Sequence, residues 1–158
     1  MVVATTSERI TRSPVEADAR ILLIEDDPDD VMLITRLLDQ APISIHIEAV
    51  ENGRQAMEHL ESLGRLDDPN TPDLLILDIN MPVMDGTLFL AALRRHPIFR
   101  SLPVVALTTA NDVDTIRRAY DFGANAVITK VDSLEGMSRI VNTIVDFWFK
   151  VARRYYVD

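Results

Sequence analysis

The chain has 158 residues, a length that suits one compact domain and leaves little room for a second. It contains no cysteine, which excludes disulfides, thiolate zinc sites and cysteine nucleophiles. Twenty-five acidic residues against sixteen lysines and arginines give a formal charge of -9. That balance argues against a non-specific grip on nucleic acid, because such binding needs a basic surface.

The N-terminal segment is polar and lacks the apolar run of a signal peptide, so residues 1–19 are predicted to form a flexible arm. A domain is predicted over residues 20–150, followed by a short tail over 151–158. No later run approaches the ~20 apolar residues needed to cross a membrane. We therefore expect a cytoplasmic protein without a membrane partner.

Short apolar segments alternate along the chain with segments of helical periodicity. The predicted elements are, in order, a strand at 20–24, a helix at 29–40, a strand at 43–49, a helix from 52–53, a loop at 64–72, a strand at 74–77, a helix at 87–95, a strand at 103–107, a helix at 112–121 capped by Gly123, a strand at 126–128 and a final helix from about 133 to 150.

Most of these strands are continuous apolar runs, as strands buried on both faces are. Only the strand at 43–49 alternates apolar and polar residues, which favours an edge position. Five strand–helix units in a row predict a doubly wound α/β fold, with a parallel sheet covered by helices on both faces.

Acidic, hydroxyl and lysine side chains directly follow four of the predicted strands. In open parallel sheets ligands bind beyond the carboxyl ends of the strands. The residues at those ends are Glu25, Asp26 and Asp27 after the first strand, Asp78 and then Asn80 after the third, Thr108 and Thr109 after the fourth, and Lys130 after the fifth.

Crowded carboxylates repel one another unless a cation or a proton lies among them. Oxygen ligands without His or Cys suit Mg²⁺, while a lysine and a hydroxyl bind phosphoryl oxygens. The pattern predicts a site where Mg²⁺ and a phosphoryl group meet. Asp78, at the end of the central apolar run, is the natural phosphoryl acceptor.

Each of these residues also has an ordinary structural interpretation. An acid after a strand begins a turn or caps a helix about as often as it binds a ligand. A single lysine is usually a solvated charge. Two other classes of protein also remain open. A Mg²⁺-dependent phosphohydrolase gathers acids at strand ends, but it typically carries Asp-x-Asp where this chain has Asp78-Ile79-Asn80. The other class is an interaction module that works without phosphorylation.

Residues 21–28 (ILLIEDDP) and 73–86 (DLLILDINMPVMDG), together with 103–110 and 123–130, resemble the receiver domain of two-component response regulators. The resemblance covers about residues 20–148. It implies a flavodoxin-like fold with strand order 2-1-3-4-5. It also implies a signalling protein rather than an enzyme, which accepts a phosphoryl group from a histidine kinase on Asp78 and assists its own Mg²⁺-dependent phosphorylation and dephosphorylation.

The same resemblance implies a role for each site residue. Asp26 would bind Mg²⁺ directly, Glu25 through water, and Asn80 through its backbone carbonyl, beside Asp78 itself. Thr108 rather than Thr109 would be the switch hydroxyl, and Lys130 would pair with a phosphoryl oxygen. Asp27 falls on a position that varies in the family.

Two residues depart from the family pattern. Val131 follows Lys130 where the family usually has a proline joined by a cis bond. Because a non-proline cis bond costs about 3 kcal/mol, Val131 favours a trans bond. Val127 stands where an aromatic switch residue is common, so the usual coupling between the threonine and the aromatic ring does not operate in that form.

The final helix carries more apolar residues than one stripe needs. Leu134, Met137, Val141, Ile144 and Trp148 have core spacing, whereas Ile140, Phe147, Phe149 and Val151 lie to one side. With Tyr155 and Tyr156, these aromatic side chains predict a homodimer interface.

The upstream partner is also suggested by a resemblance. Asp146-Phe147-Trp148, Ile128-Thr129-Lys130 and the loop at 64–72 are similar to single-domain regulators that serve bacterial phytochrome kinases. The implied signal is red light. The alternative partner is another histidine kinase or phosphorelay protein. Only twenty-eight residues follow Lys130, so no DNA-binding module and no DNA partner are expected.

Overall fold

The computed structural model describes residues 19–80 and 86–153. The predicted arm at 1–19, except its last residue, and the tail after 153 lie outside the described residues. The elements are β1 (Ala19–Ile24), α1 (Pro28–Asp39), β2 (Ile45–Val50), α2 (Gly53–Leu63), β3 (Leu74–Asp78), α3 (Gly86–Arg95), β4 (Val104–Thr108), α4 (Val113–Asp121), β5 (Ala126–Thr129), α5 (Leu134–Val145) and a π-helical segment (Asp146–Val151).

The five strands form one parallel sheet in the order β2-β1-β3-β4-β5. This confirms the predicted fold class and strand order. The edge position of β2 is also confirmed: Ile45 and Ile47 are half-buried, and His46 and Glu48 between them are exposed. The central strands β3 and β4 are buried along their whole length.

Each face of the sheet has its own hydrophobic core, because successive strand residues point to opposite faces. Leu22 and Ile24 of β1 pack with α2, α3 and α4 on one side. Ile21 and Leu23 pack with α1 and α5 on the other. Within the described ranges, no helix combines the length and the apolar character that crossing a membrane requires.

Local hydrogen bonds set the start of α1 and the end of α4. Asp27 caps α1, because its Oδ1 accepts from the backbone N–H of Asp29 at 2.9 Å. At the end of α4, Gly123 has a φ of 113°, which confirms the predicted glycine cap. The N–H of Gly123 donates to the carbonyl of Tyr120, and the N–H of Ala124 donates to the carbonyl of Ala119, each at 3.0 Å. This pair of hydrogen bonds is the Schellman motif.

The final helix differs from its prediction in three respects. It is α-helical only to Val145 and continues as a π-helix to Val151. Leu134, expected in the core, is 64% exposed because it is the first helical residue, and the helix packs on the sheet only from Met137 onward. Ile140 and Phe149, expected to one side, instead pack partly against the core.

Candidate functional site

The polar residues predicted to converge do meet at the carboxyl edge of the sheet. Asp78 and Thr108 are the last residues of β3 and β4, and Glu25 and Lys130 directly follow β1 and β5. The backbone N–H of Lys130 donates to the carbonyl of Thr108 at 2.7 Å, which holds these two strand ends together. Parallel pairing therefore brings four distant parts of the chain to one place.

Three carboxylates form a compact group at this edge. Glu25, Asp26 and Asp78 each offer one oxygen, and these oxygens all lie within 4.8 Å of one another. Glu25 and Asp78 are buried, whereas Asp26 is exposed. In the part of the chain that the structure describes, no other acid or histidine group has this spacing. Hard oxygen donors so arranged fit a divalent cation such as Mg²⁺.

The ammonium group of Lys130 lies against the same carboxylates. Its Nζ is 2.9 Å from Glu25 Oε2 and 3.6 Å from Asp78 Oδ2. The Lys130 side chain is only 12% exposed, so these pairs are largely shielded from solvent. The other oxygen of Glu25, Oε1, accepts from the backbone N–H of Asp27 at 3.1 Å, which fixes the orientation of the carboxylate.

Burial and neighbouring charges shift the pKa values of Glu25 and Lys130. Burial raises the pKa of Glu25 to about 7; the hydrogen bond from Lys130 lowers it, and the neighbouring Asp78 raises it. Burial alone would lower the pKa of Lys130, but the hydrogen bonds to Asp30 and Glu25 and the charge of Asp78 raise it above its usual value. Lys130 is thus held as an ammonium among more carboxylates than it can neutralise, which leaves the site attractive to a further cation.

Sequence reasoning missed Asp30, the third carboxylate on Lys130. Its Oδ2 lies 2.9 Å from Lys130 Nζ, as close as Glu25. Asp30 is the third residue of α1, where side chains lean back toward the start of the helix. The signal was present in residues 25–30 (EDDPDD), because Asp30 falls in the first turn of the helix that directly follows the strand-end acids.

Asn80 links the ends of β3 and β4 through its side chain. Its Nδ2 donates to Thr108 Oγ1 at 3.0 Å and to Thr109 Oγ1 at 3.4 Å, and its backbone N–H donates to Asp78 Oδ1 at 3.0 Å. Thr108 is fully buried and also accepts from the backbone N–H of Ala110 at 3.0 Å, whereas Thr109 is exposed. The sequence had suggested only the backbone carbonyl of Asn80 as a ligand, a role that stays a prediction.

The two departures from the family pattern have structural consequences. The Lys130–Val131 peptide bond is trans, as Val131 favoured. At Val127, the backbone N–H on the outer edge of β5 donates to the Tyr120 hydroxyl of α4 at 3.2 Å.

Asp27, whose part in metal binding was open, caps α1 with its carboxylate.

Comparisons with known proteins agree with this arrangement. The sequence model for the response regulator receiver domain matches residues 21–142. Response regulator Rcp1 of Synechocystis is 32% identical over 130 residues, which cover 82% of this chain and 88% of that protein.

Solved structures are similar over most of the chain. The phosphorylated cyanobacterial phytochrome response regulator RcpA superposes with a TM-score of 0.79 at 34% identity, covering 87% of this chain and 98% of that one. The Mn²⁺-bound form of Rcp1 superposes with a TM-score of 0.75 at 30% identity, covering 86% and 98%. The metal in the latter structure and the phosphorylation of the former belong to those proteins.

Proposed function

The chain belongs to the response regulator receiver domain family, and on that premise we propose that Asp78 accepts a phosphoryl group from a histidine kinase with Mg²⁺ bound beside it. Receiver domains are signalling proteins that work with histidine kinases and bind a divalent metal. The observation that carries the proposal is the position of the Asp78 carboxylate, buried among Glu25, Asp26 and the ammonium of Lys130.

The chemistry is a transfer between two nucleophiles. A carboxylate oxygen of Asp78 attacks the phosphorus of a phosphohistidine, forming an O–P bond as the N–P bond breaks. The electron pair of the N–P bond stays on the imidazole nitrogen, which then takes a proton from water. Such transfers are catalysed by positioning and by neutralising charge.

The surrounding residues supply that positioning. Glu25, Asp26, Asp78 and the carbonyl of Asn80 would hold Mg²⁺, which when bound neutralises charge on the phosphoryl oxygens. Lys130 binds a second phosphoryl oxygen through its ammonium. The Thr108 hydroxyl already accepts from Asn80 and Ala110, so its own hydrogen remains to donate to a third oxygen.

The output is a change of surface. When Thr108 and Lys130 bind the phosphoryl group, they favour one of two arrangements of the β4–α4 region. Asn80 must give up or rearrange its bond to Thr108 if the hydroxyl moves. Because Val127 replaces the aromatic switch, we propose that the message leaves by a route other than a threonine–aromatic pair.

The upstream partner proposed here is a phytochrome histidine kinase. The support is the likeness to Rcp1 and to the phytochrome response regulator RcpA over most of the chain. We further propose a receiver domain at 20–150 between an arm at 1–19 and a tail at 151–158. A cytoplasmic location would place it beside the kinase domain.

The test is phosphorylation by a small acyl phosphate, followed by intact mass. With Mg²⁺, the protein is expected to gain one phosphoryl group, and without a divalent cation it is expected to gain almost none. Borohydride reduction followed by peptide mapping should locate the group on Asp78. Failure of every donor to label the protein would contradict the proposal. Continuous hydrolysis of the donor without a labelled protein would indicate a phosphohydrolase.

A homodimer through the C-terminal segment is a separate proposal. Phe147 is 50% exposed and Val151 is 72% exposed, and they lie about one turn apart on the π-helix. Phe147 also packs edge-on against Trp148, with ring centroids 5.1 Å apart. Exposed aromatic side chains of this kind anchor interfaces.

Phe147→Asp is expected to convert the dimer to a monomer, because a carboxylate at the centre of an apolar interface is left unpaired. Light scattering after size exclusion gives the mass of each species. Leu88→Asp, at a position 59% exposed on α3, is the matched control and should leave the mass unchanged. If the wild type is already a monomer, or Phe147→Asp remains a dimer, the C-terminal interface is wrong.

A further inference from the structure

Three carboxylates surround the ammonium of Lys130, and one of them has no part in the proposed metal site. Glu25 and Asp30 each lie 2.9 Å from Nζ, and Asp78 lies at 3.6 Å. A lysine ammonium has three N–H donors and no acceptor. Two of these N–H groups are therefore used in the 2.9 Å hydrogen bonds to Glu25 and Asp30. The third N–H remains for Asp78.

Asp30 is itself held in place by the start of α1. The helix begins at Pro28, whose ring presets the backbone, and Asp27 caps it. Asp30 is 36% exposed at its side chain, against 1% for Glu25. An acid in the first turn is also favoured by the helix dipole, so this carboxylate needs no metal to be stable there.

We propose that Asp30 is a positioning residue that fixes the Lys130 ammonium with one N–H directed toward Asp78. The inference rests on the proposed function, because it assigns how that site is prepared for a phosphoryl group. Lysine is a flexible four-carbon side chain, and immobilising such a side chain at the moment of binding has an entropic cost. Glu25, directly after β1, and Asp30, on α1, immobilise the side chain before the phosphoryl group arrives.

The opposite role for Asp30 would be competition. A carboxylate that merely drew Lys130 away from the phosphoryl group would slow phosphorylation, and its removal would speed the reaction. Positioning predicts the reverse sign. The geometry favours positioning, because Nζ already lies 3.6 Å from Asp78 Oδ2 while it is bound to Glu25 and Asp30. No contact has to break before Lys130 approaches a group attached to Asp78.

The kinetic test uses the full chain with an acyl phosphate and Mg²⁺. Asp30→Ala is expected to lower the rate of phosphorylation about threefold to tenfold, as expected for one freed, rotamer-rich side chain. Asp29→Ala is the matched control, because Asp29 is exposed and lies one position earlier in the same turn. It removes the same charge and should change the rate by less than about twofold.

A spectroscopic readout separates positioning from a general effect on the fold. The sequence contains only two lysines, Lys130 and Lys150, so ¹⁵N-lysine labelling gives two side-chain signals. Asp30→Ala should shift the Lys130 ammonium signal and speed its exchange with water. Lys150, which pairs with Asp146 at 2.9 Å, should be unaffected in the same sample.

The outcomes distinguish this inference from the proposed function. If the wild type is labelled on Asp78 but Asp30→Ala reacts as fast or faster, the positioning role is wrong while the phosphoacceptor stands. An unchanged Lys130 signal in Asp30→Ala would also overturn it. If Asp30→Ala fails to fold, Asp30→Asn replaces it; the amide keeps an acceptor oxygen without the charge, so a smaller loss of rate and a shifted Lys130 signal are expected.

Discussion

Asp78→Asn is expected to abolish phosphorylation of the protein by acyl phosphates and by its kinase. The amide of asparagine is no substitute for a carboxylate nucleophile, because its oxygen is uncharged and its nitrogen lone pair is delocalised into the carbonyl group. The shape is preserved, and the new side-chain oxygen can still accept from the backbone N–H of Asn80, which now donates to Asp78 at 3.0 Å. The loss is therefore chemical rather than structural.

The stability of this variant provides a second, independent readout. Asp78 is buried beside Glu25, and its charge is one cause of the raised pKa of that residue. Removing the charge relieves repulsion, so the free energy of unfolding without metal should stay the same or increase. Mg²⁺ should then raise the melting temperature of the wild type but do so weakly in Asp78→Asn.

Asp73→Asn is the matched control for that experiment. Asp73 directly precedes β3, at the opposite end from Asp78, and accepts from the backbone N–H of Arg20 at 2.8 Å. The substitution removes the same charge and keeps an acceptor oxygen. It should be phosphorylated at the wild-type rate. Labelling of Asp78→Asn at a comparable rate would mean that another residue is the acceptor.

Arg94→Met is expected to destabilise the fold by about 3 kcal/mol, because the guanidinium is a partly buried charged donor with several acceptors. The guanidinium donates to the carbonyls of Gly123, Arg100 and Leu102 and to the side chain of Asn125, at 2.7 to 2.9 Å. Burial lowers the pKa of Arg94, and the hydrogen bonds to these acceptors hold the guanidinium in place. Methionine fills similar volume but removes the donor from the three carbonyl oxygens, whereas Asn125 Oδ1 still accepts from the backbone N–H of Val104 at 2.7 Å.

Urea unfolding followed by circular dichroism measures this loss. The expected change is a lower midpoint with an unchanged slope. Arg95→Met, at the exposed neighbouring position on α3, should stay within about 0.5 kcal/mol of the wild type. Equal stability of the two variants would show that the Arg94 contacts contribute little in solution.

The same arginine explains why a glycine stands at 123. A Cβ there would lie 2.6 Å from Arg94 Cγ, and the φ of 113° is one that side chains rarely adopt. Sequence reasoning identified Gly123 as a helix cap from its position after α4. It did not identify the packing of Arg94, because the two residues are twenty-nine positions apart.

Gly86 shows the same difference between a local and a tertiary cause. From the sequence it was simply the glycine of Asp85-Gly86 that opens a helix. In the structure a Cβ at Gly86 would lie 2.6 Å from the backbone Cα of Ile79. The start of α3 is therefore packed directly against the residue that follows Asp78, and the glycine is needed for that close approach.

The sequence by itself determined the fold class, the strand order through a family resemblance, and the edge of the sheet where Glu25, Asp78, Thr108 and Lys130 meet. The fold class follows from periodicity, which is a local signal, and the shared edge follows from the rule that parallel strands have their carboxyl ends on one side. The glycine cap at Gly123 was likewise a local signal, whereas the structure assigned the capping role of Asp27.

Only the tertiary structure decided which groups touch. Asp30 reaches Lys130 across one hundred residues, Asn80 bonds to Thr108 across twenty-eight, and Leu134 is left exposed despite its core spacing. Side-chain contacts of this kind form or fail when the spacing between two separate elements changes by a few tenths of an ångström. Hydrophobic periodicity specifies which face of an element is buried, but it does not specify which polar side chain on a neighbouring element will be within reach.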